Sequence, residues 1–273
     1  MTPRERLSLN RVAKPQLPLV AFLELAASLG IRHVEVRNDF TEKGVLDGLP
    51  EAELRRALDR TGVRIVSINA LYPFEDGRVL DANVKRLGAL LADARAADCP
   101  MIVLCPLNEA GDPRSAAQRA DELVRALDAY GPLLQAAGAV GLIEPLGFER
   151  SALRTKRAAV DAVARCAHPA AYRLLHDTFH HYLSGEQELF PRQTGLIHVS
   201  GVLAGKPRPA ITDDDRILVD ERDVMDTRGQ VAALLQGGCQ ALISYEPFSP
   251  TVRAMPVPAL KDALLRSAGY LLG

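Results

Sequence analysis

Short runs of Val, Ile and Leu recur along the chain, each followed by a longer stretch in which apolar residues return every three or four positions. The runs begin near Leu7-Ser8-Leu9, His33-Val34-Glu35-Val36 and Arg64-Ile65-Val66-Ser67-Ile68. They continue with Met101-Ile102-Val103-Leu104-Cys105, Val140-Gly141-Leu142-Ile143, Tyr172-Arg173-Leu174-Leu175, Leu196-Ile197-His198-Val199 and Ala241-Leu242-Ile243-Ser244. None alternates strictly, which is the pattern of strands covered on both faces. Between them lie amphipathic stretches. Leu87, Leu90, Leu91 and Ala94 recur at i, i+3, i+4 and i+7, one helical face. The longest runs from about Arg114 to Ala137 and sets Leu123, Leu127 and Leu134 against Arg119, Asp121, Glu122 and Arg125. Gly30, Gly62 and Gly138 stand where helices should end, and Pro50-Glu51-Ala52-Glu53 and Asp112-Pro113-Arg114-Ser115 where they should begin.

Eight strand-helix units in this order predict an α/β fold, a single (β/α)8 TIM barrel spanning 1–273 as one domain. The competing fold, a doubly wound sheet, calls for a Gly-rich turn after the first strand, and Asn10-Arg11-Val12-Ala13-Lys14-Pro15 is not one. No Pro/Gly/Ser-rich linker divides the chain. One long irregular stretch, from Gly201 to roughly Asp226, follows the seventh strand, and loops of that length are functional or mobile.

Charge and cysteine content narrow the partners. Lys and Arg total 33 against 34 Asp and Glu, a net charge of -1, which argues against nucleic acid or an anionic membrane as the main partner. Cys99, Cys105, Cys166 and Cys239 form no CxxC pair and read as isolated thiols. The start, Met1-Thr2-Pro3-Arg4-Glu5-Arg6, leads straight into a strand without the pattern of an export signal. No apolar run approaches the ~20 residues that span a bilayer. A cytoplasmic protein is expected.

Four acid or imidazole side chains end four consecutive runs: Glu144, Asp177, His198 and Glu246. A carboxylate at the end of a buried strand is costly unless something pairs with it. One such residue would be read as a helix cap or a salt-bridge partner. Four at the carboxyl ends of strands five to eight point to one shared divalent metal, and three hard oxygens plus an imidazole suit manganese, magnesium, cobalt or zinc. His180, three residues past Asp177, can face the same mouth and bind a substrate hydroxyl, whereas His176 is turned toward the helices by strand alternation and His181 is a weaker candidate. Arg216, after Asp213-Asp214-Asp215, would offer a planar donor fork to a polyol if its loop folds back over the mouth. Asn10 and Asn69 end strands one and three as neutral hydrogen-bond donors to substrate. Glu35 and Arg37, two residues apart on one face of strand two, are expected to form an internal ion pair.

The segments Val34-Glu35-Val36-Arg37, Asn69-Ala70-Leu71, Ile143-Glu144-Pro145-Leu146-Gly147, Asp177-Thr178-Phe179-His180, Ile197-His198-Val199, Asp213-Asp214-Asp215-Arg216 and Ser244-Tyr245-Glu246-Pro247-Phe248 extend over nearly the whole chain. In them the sequence resembles the sugar-phosphate isomerase/epimerase superfamily of barrels, also called xylose-isomerase-like, and within it the inosose (2-keto-myo-inositol) isomerases. The resemblance implies that Glu144, Asp177, His198 and Glu246 bind one divalent ion, that Glu144 and Glu246 double as the acid/base pair, and that His180 and Arg216 contact substrate. It implies a small keto-polyol or ketose as partner. Relatives are often dimers or tetramers, so a homo-oligomer is open. One departure stands out: where relatives follow the loop arginine with a Pro-Gly-x-Gly turn, this chain reads Ile217-Leu218-Val219-Asp220-Glu221-Arg222.

The chemistry that these residue types allow is movement of a proton between carbons beside a ketone. One glutamate removes it and the other returns one, to the neighbouring carbon (isomerisation) or to the opposite face (epimerisation). Two other readings share the barrel. An endonuclease IV-like AP endonuclease would need a three-metal cluster with many more histidines than the six in this chain. A non-catalytic polyol-binding barrel would need only the pocket.

Overall fold

The computed structural model describes residues 2, 4–40 and 42–273. Eight strands, β1 (Leu7–Asn10), β2 (His33–Arg37), β3 (Arg64–Leu71), β4 (Met101–Leu104), β5 (Val140–Ile143), β6 (Tyr172–Asp177), β7 (Thr194–Val199) and β8 (Leu242–Tyr245), close into a barrel in sequence order. Every neighbouring pair is parallel, including β1 with β8. Parallel neighbours need a crossover, and helices supply it: α1 (Leu19–Ser28), α2 (Glu51–Thr61), α3 (Leu80–Ala96), α4 (Ala116–Ala137), α5 (Lys156–Arg165), α6 (Thr178–Ser184) and α7 (Thr227–Gln236), with α8 (Pro250–Ala254) and α9 (Val257–Leu272) after the last strand. The expected (β/α)8 barrel is what forms. Among the described residues no helix is long and apolar enough to cross a membrane.

Local chemistry sets the helix ends. Ser115 accepts from the backbone of Gln118 while the Gln118 side chain returns the bond, so α4 starts at Ala116 rather than near Arg114. Gly62 and Gly138 end α2 and α4 in the left-handed conformation, at φ 63° and 65°. β3 runs three residues past Ile68, to Leu71, so Asn69 lies inside that strand and does not end it.

Strand parity decides what faces the barrel axis, since successive side chains alternate. Leu7, Leu9, Val34, Val36, Ile102, Ile143, Ile197 and Ile243 pack outward against the helices in the main core. The inward set differs between the two halves of the barrel. On β4 to β7 the inner layer is apolar, with Val103, Leu142, Leu175 and Leu196 forming their own cluster. On β1, β2, β3 and β8 the inward positions carry Ser8 and Asn10, Glu35 and Arg37, Ser67 and Asn69, and Ser244, all buried. Two residues beyond Leu142, Leu175 and Leu196 stand Glu144, Asp177 and His198, and two beyond Ser244 stands Glu246. Parity therefore points all four inward at the carboxyl end.

A candidate metal centre beneath a polar cavity

The register brings the four together. Asp177 pairs across the ladder with His198, and His198 with Ser244. Glu144 and Glu246 lie one residue past their strands, yet their backbone N–H groups still bond to Leu104 O at 3.1 Å and Val199 O at 3.0 Å. All four side chains are buried, and one ligand atom from each lies within 4.8 Å of the others. His198 Nδ1 is 3.2 Å from Glu144 Oε1, 3.1 Å from Glu246 Oε2 and 3.8 Å from Asp177 Oδ2. Three hard oxygens and a nitrogen converging on one point form a donor set that fits a divalent cation.

Asp177 shows how the backbone prepares the site. Its Oδ1 accepts from Phe179 N at 2.7 Å and His180 N at 3.3 Å and so caps α6, which leaves Oδ2 for the centre. The electrostatics reflect crowded acid. Burial works against a charged His198, but the carboxylates of Glu246, Glu35 and Glu144 raise its pKa well above the ordinary histidine range. Burial likewise opposes ionisation of Glu246, and the neighbouring His198, Arg216 and Arg37 outweigh it and hold the carboxyl well below its usual range. Asp177 titrates above its usual range because burial dominates the opposing pull of Arg216.

Above the centre is a cavity of about 340 Å3, toward the small end for ligand pockets. Glu144, Glu246, His180, Arg216, Asn69 and Phe248 are among its lining residues. Arg216 does fold back over the mouth. Its Nη2 donates to Asp177 Oδ2 at 2.6 Å and Glu246 Oε2 at 2.8 Å, and its plane lies between the rings of Phe179 and Phe248 at 4.8 and 4.7 Å. In place of a Pro-Gly turn, two backbone bonds between Gly201 and Ile217 (2.7 and 2.8 Å) and one from Ser249 N to Arg216 O (2.8 Å) fix the path. Leu218 and Val219 then bury in the core, so apolar anchoring does the work of the turn. Gly147 permits the close packing nearby, because a Cβ there would lie 2.1 Å from His180 O.

His180 is buried against Phe148 and Phe179, and its Nδ1 has no partner among the described residues. Burial and the Arg216 charge push its pKa down to about 4, so it faces the cavity neutral. Asn69 Nδ2 is likewise buried without a partner. Asn10 is placed differently from the sequence expectation. It is fully buried, does not line the cavity, and donates from Nδ2 to Glu35 Oε1 (3.3 Å) and Glu246 Oε1 (3.1 Å). Its amide is taken up by these two carboxylates. His176 and His181 face the helices, at 3.0 Å from Gln230 and 2.7 Å from Lys156.

The expected Glu35–Arg37 ion pair does not form. Both point inward, but each head group is taken up by other partners, Arg37 by Asp39 just past the strand and by Glu246, and Glu35 by His198 across the barrel. Arg37 bonds Asp39 at 2.9 and 2.8 Å and Glu246 Oε1 at 2.9 Å. Glu35 turns to His198 Nε2 at 3.0 Å. Sequence reasoning also passed over Cys105, whose Sγ lies 3.2 Å from Glu144 Oε2. Burial raises the pKa of this thiol far above its ordinary value, so the S–H donates. The available signals were a glutamate in the middle of an apolar run and a cysteine at a strand end.

A profile of the family described as xylose isomerase-like TIM barrel matches residues 23–268. The chain belongs to this family. A xylose isomerase domain containing protein from Salmonella typhimurium LT2 is 33% identical and superposes with a TM-score of 0.90 over 99% of this chain and 98% of that one. Two more distant structures show the same fold. One is the IolI protein with a bound zinc atom, at 17% identity and a TM-score of 0.87 over 97% of each chain. The other is D-psicose 3-epimerase with D-tagatose from Clostridium cellulolyticum H10, at 14% and 0.72 over 97% of this chain and 99% of that one. No curated protein matches the sequence.

Proposed function

We propose that this member of the xylose isomerase-like family is a divalent-metal-dependent isomerase or epimerase that moves a proton beside the ketone of a small keto-polyol, an inosose or a similar ketose. The observation that carries the reading is that Glu144 and Glu246 sit within 4.8 Å of each other in the wall of one cavity, in the same donor set as Asp177 and His198. The names of two fold neighbours agree with it: IolI was solved with zinc, and the psicose epimerase with the ketose D-tagatose.

Glu144, Asp177, His198 and Glu246 would hold the ion. Bound there, a divalent cation supplies positive charge for the oxygen on which negative charge develops as a carbon-bound proton leaves. The chain supplies the rest. Asn10 and Arg37 donate to Oε1 of Glu246 and Arg216 donates to its Oε2, so both oxygens of this carboxylate are held in place. Cys105 steadies Oε2 of Glu144. One glutamate, ionised, takes the proton and the electron pair of the C–H bond becomes the enediolate. The other, entering as the carboxylic acid, gives its proton to the neighbouring carbon or the opposite face, and in the isomerisation the hydroxyl proton passes to the former carbonyl oxygen. Asn69 Nδ2 donates to a substrate hydroxyl, neutral His180 offers a second hydrogen bond, and Phe148 and Phe248 limit water.

The test is incubation of Mn2+-loaded protein with inososes and ketoses in deuterated water, with deuterium in the product followed by NMR. The wild type should exchange the proton beside the carbonyl of at least one compound. Glu246→Gln should slow that exchange by about a hundredfold or more while its circular dichroism is unchanged. Exchange at wild-type rate in the variant would overturn the two-carboxylate mechanism.

A further inference from the structure

Glu35 lies in the middle of β2 with no exposed surface and does not line the cavity. Its Oε1 accepts from Asn10 Nδ2 at 3.3 Å and from Ser244 Oγ. Its Oε2 accepts from Ser67 Oγ at 2.5 Å and from His198 Nε2 at 3.0 Å. Four donors from β1, β3, β7 and β8 thus converge on one carboxylate.

Burying an acid here is expensive, and packing alone does not call for one. The matching inward positions across the barrel are Val103, Leu142, Leu175 and Leu196, which fill their half with hydrocarbon. The polar layer around Glu35 has a different product, which is orientation. Glu35 holds Nε2 of His198, so the opposite ring atom, Nδ1, is the one that faces Glu144, Asp177 and Glu246. Through Asn10 it also reaches Oε1 of Glu246. Two of the four side chains at the centre are therefore aimed from one buried point.

We infer that Glu35 is a positioning residue for the metal centre: it sets the ring orientation of His198 and, through Asn10, the carboxylate of Glu246, so that the four side chains are arranged for an ion before it arrives. This rests on the reading that those four hold a divalent cation. A carboxylate behind a ligating imidazole fixes the ring and strengthens it as a donor, and losing such a partner weakens binding by about ten- to a hundredfold. Glu35→Gln keeps the volume but turns an amide N–H toward groups that are themselves donors.

Binding of Co2+ and Zn2+ is measured by competition against a chelator, with melting of the metal-free protein as the control for folding. Glu35→Gln should bind both ions about ten- to a hundredfold more weakly and shift the visible absorption of the Co2+ form. A folded variant with wild-type affinity and spectrum would overturn the inference. If that variant does not fold, Ser244→Ala, which removes one donor to Glu35, decides. A several-fold weaker affinity supports the role, and unchanged affinity removes it. A wild-type protein that binds neither ion defeats the metal reading and this one together, whereas tight wild-type binding unaffected by these changes defeats only this one.

Discussion

The buried and half-buried polar residues divide into those that serve the cavity and those that serve the fold behind it. His181, half-buried, belongs to the second group. Its Nδ1 lies 2.7 Å from Lys156 Nζ, which also pairs with Glu186 at 2.8 Å. Burial, then the nearby ammonium, push the His181 pKa down to about 4. An unfolded chain takes up this proton near pH 6.5. Between these values the unfolded state binds more protons, so acidification favours it, and stability present above about pH 6.5 is lost toward pH 4. His181→Gln keeps an acceptor for Lys156 and has nothing to titrate. The variant should gain on the wild type by something on the order of 2 kcal/mol between pH 7 and pH 4, read from urea unfolding. Parallel pH curves would exclude the histidine as the cause.

Elements are held in place on the same principle. Arg114, buried just before α4, bonds Glu75 at 2.8 Å, Asp112 at 2.9 Å and Glu122 at 2.8 Å. It ties the loop after β3 to the start of the longest helix. Glu75 also accepts from Leu107 N at 3.0 Å, and burial raises its pKa. Arg114→Met would leave that carboxylate buried without its cation. A cost of about 3 kcal/mol in chemical denaturation is expected, and a change below about 1 kcal/mol would show that the network contributes little. Sequence periodicity found α4, but its tie to β3 was invisible there. Asp112-Pro113-Arg114-Ser115 reads as a local cap, while Glu75 stands 39 residues away.

For the whole molecule, an ion that binds only the folded barrel must stabilise it. At a hundred times its Kd the gain is about 2.7 kcal/mol, a rise in Tm of roughly 5 °C for a chain of this size. A melting temperature indifferent to Mn2+, Co2+ and Zn2+ would argue that the acidic cluster holds no ion. The succession of apolar runs and amphipathic stretches determined the barrel by itself, because a short unbroken apolar run records a strand covered on both faces and a 3.6-residue period a helix covered on one. It also placed Glu144, Asp177, His198 and Glu246 at one end, since parity and strand order are properties of the chain. Which partner each inward side chain takes was left to the closed barrel. Glu35 and Arg37 share a face, and so invited pairing, yet closure puts His198 and Ser244 beside one and Glu246 beside the other. Asn10 became a buried bridge for the same reason. Distances across a barrel depend on registers between strands far apart in sequence, and only the assembled cylinder sets those.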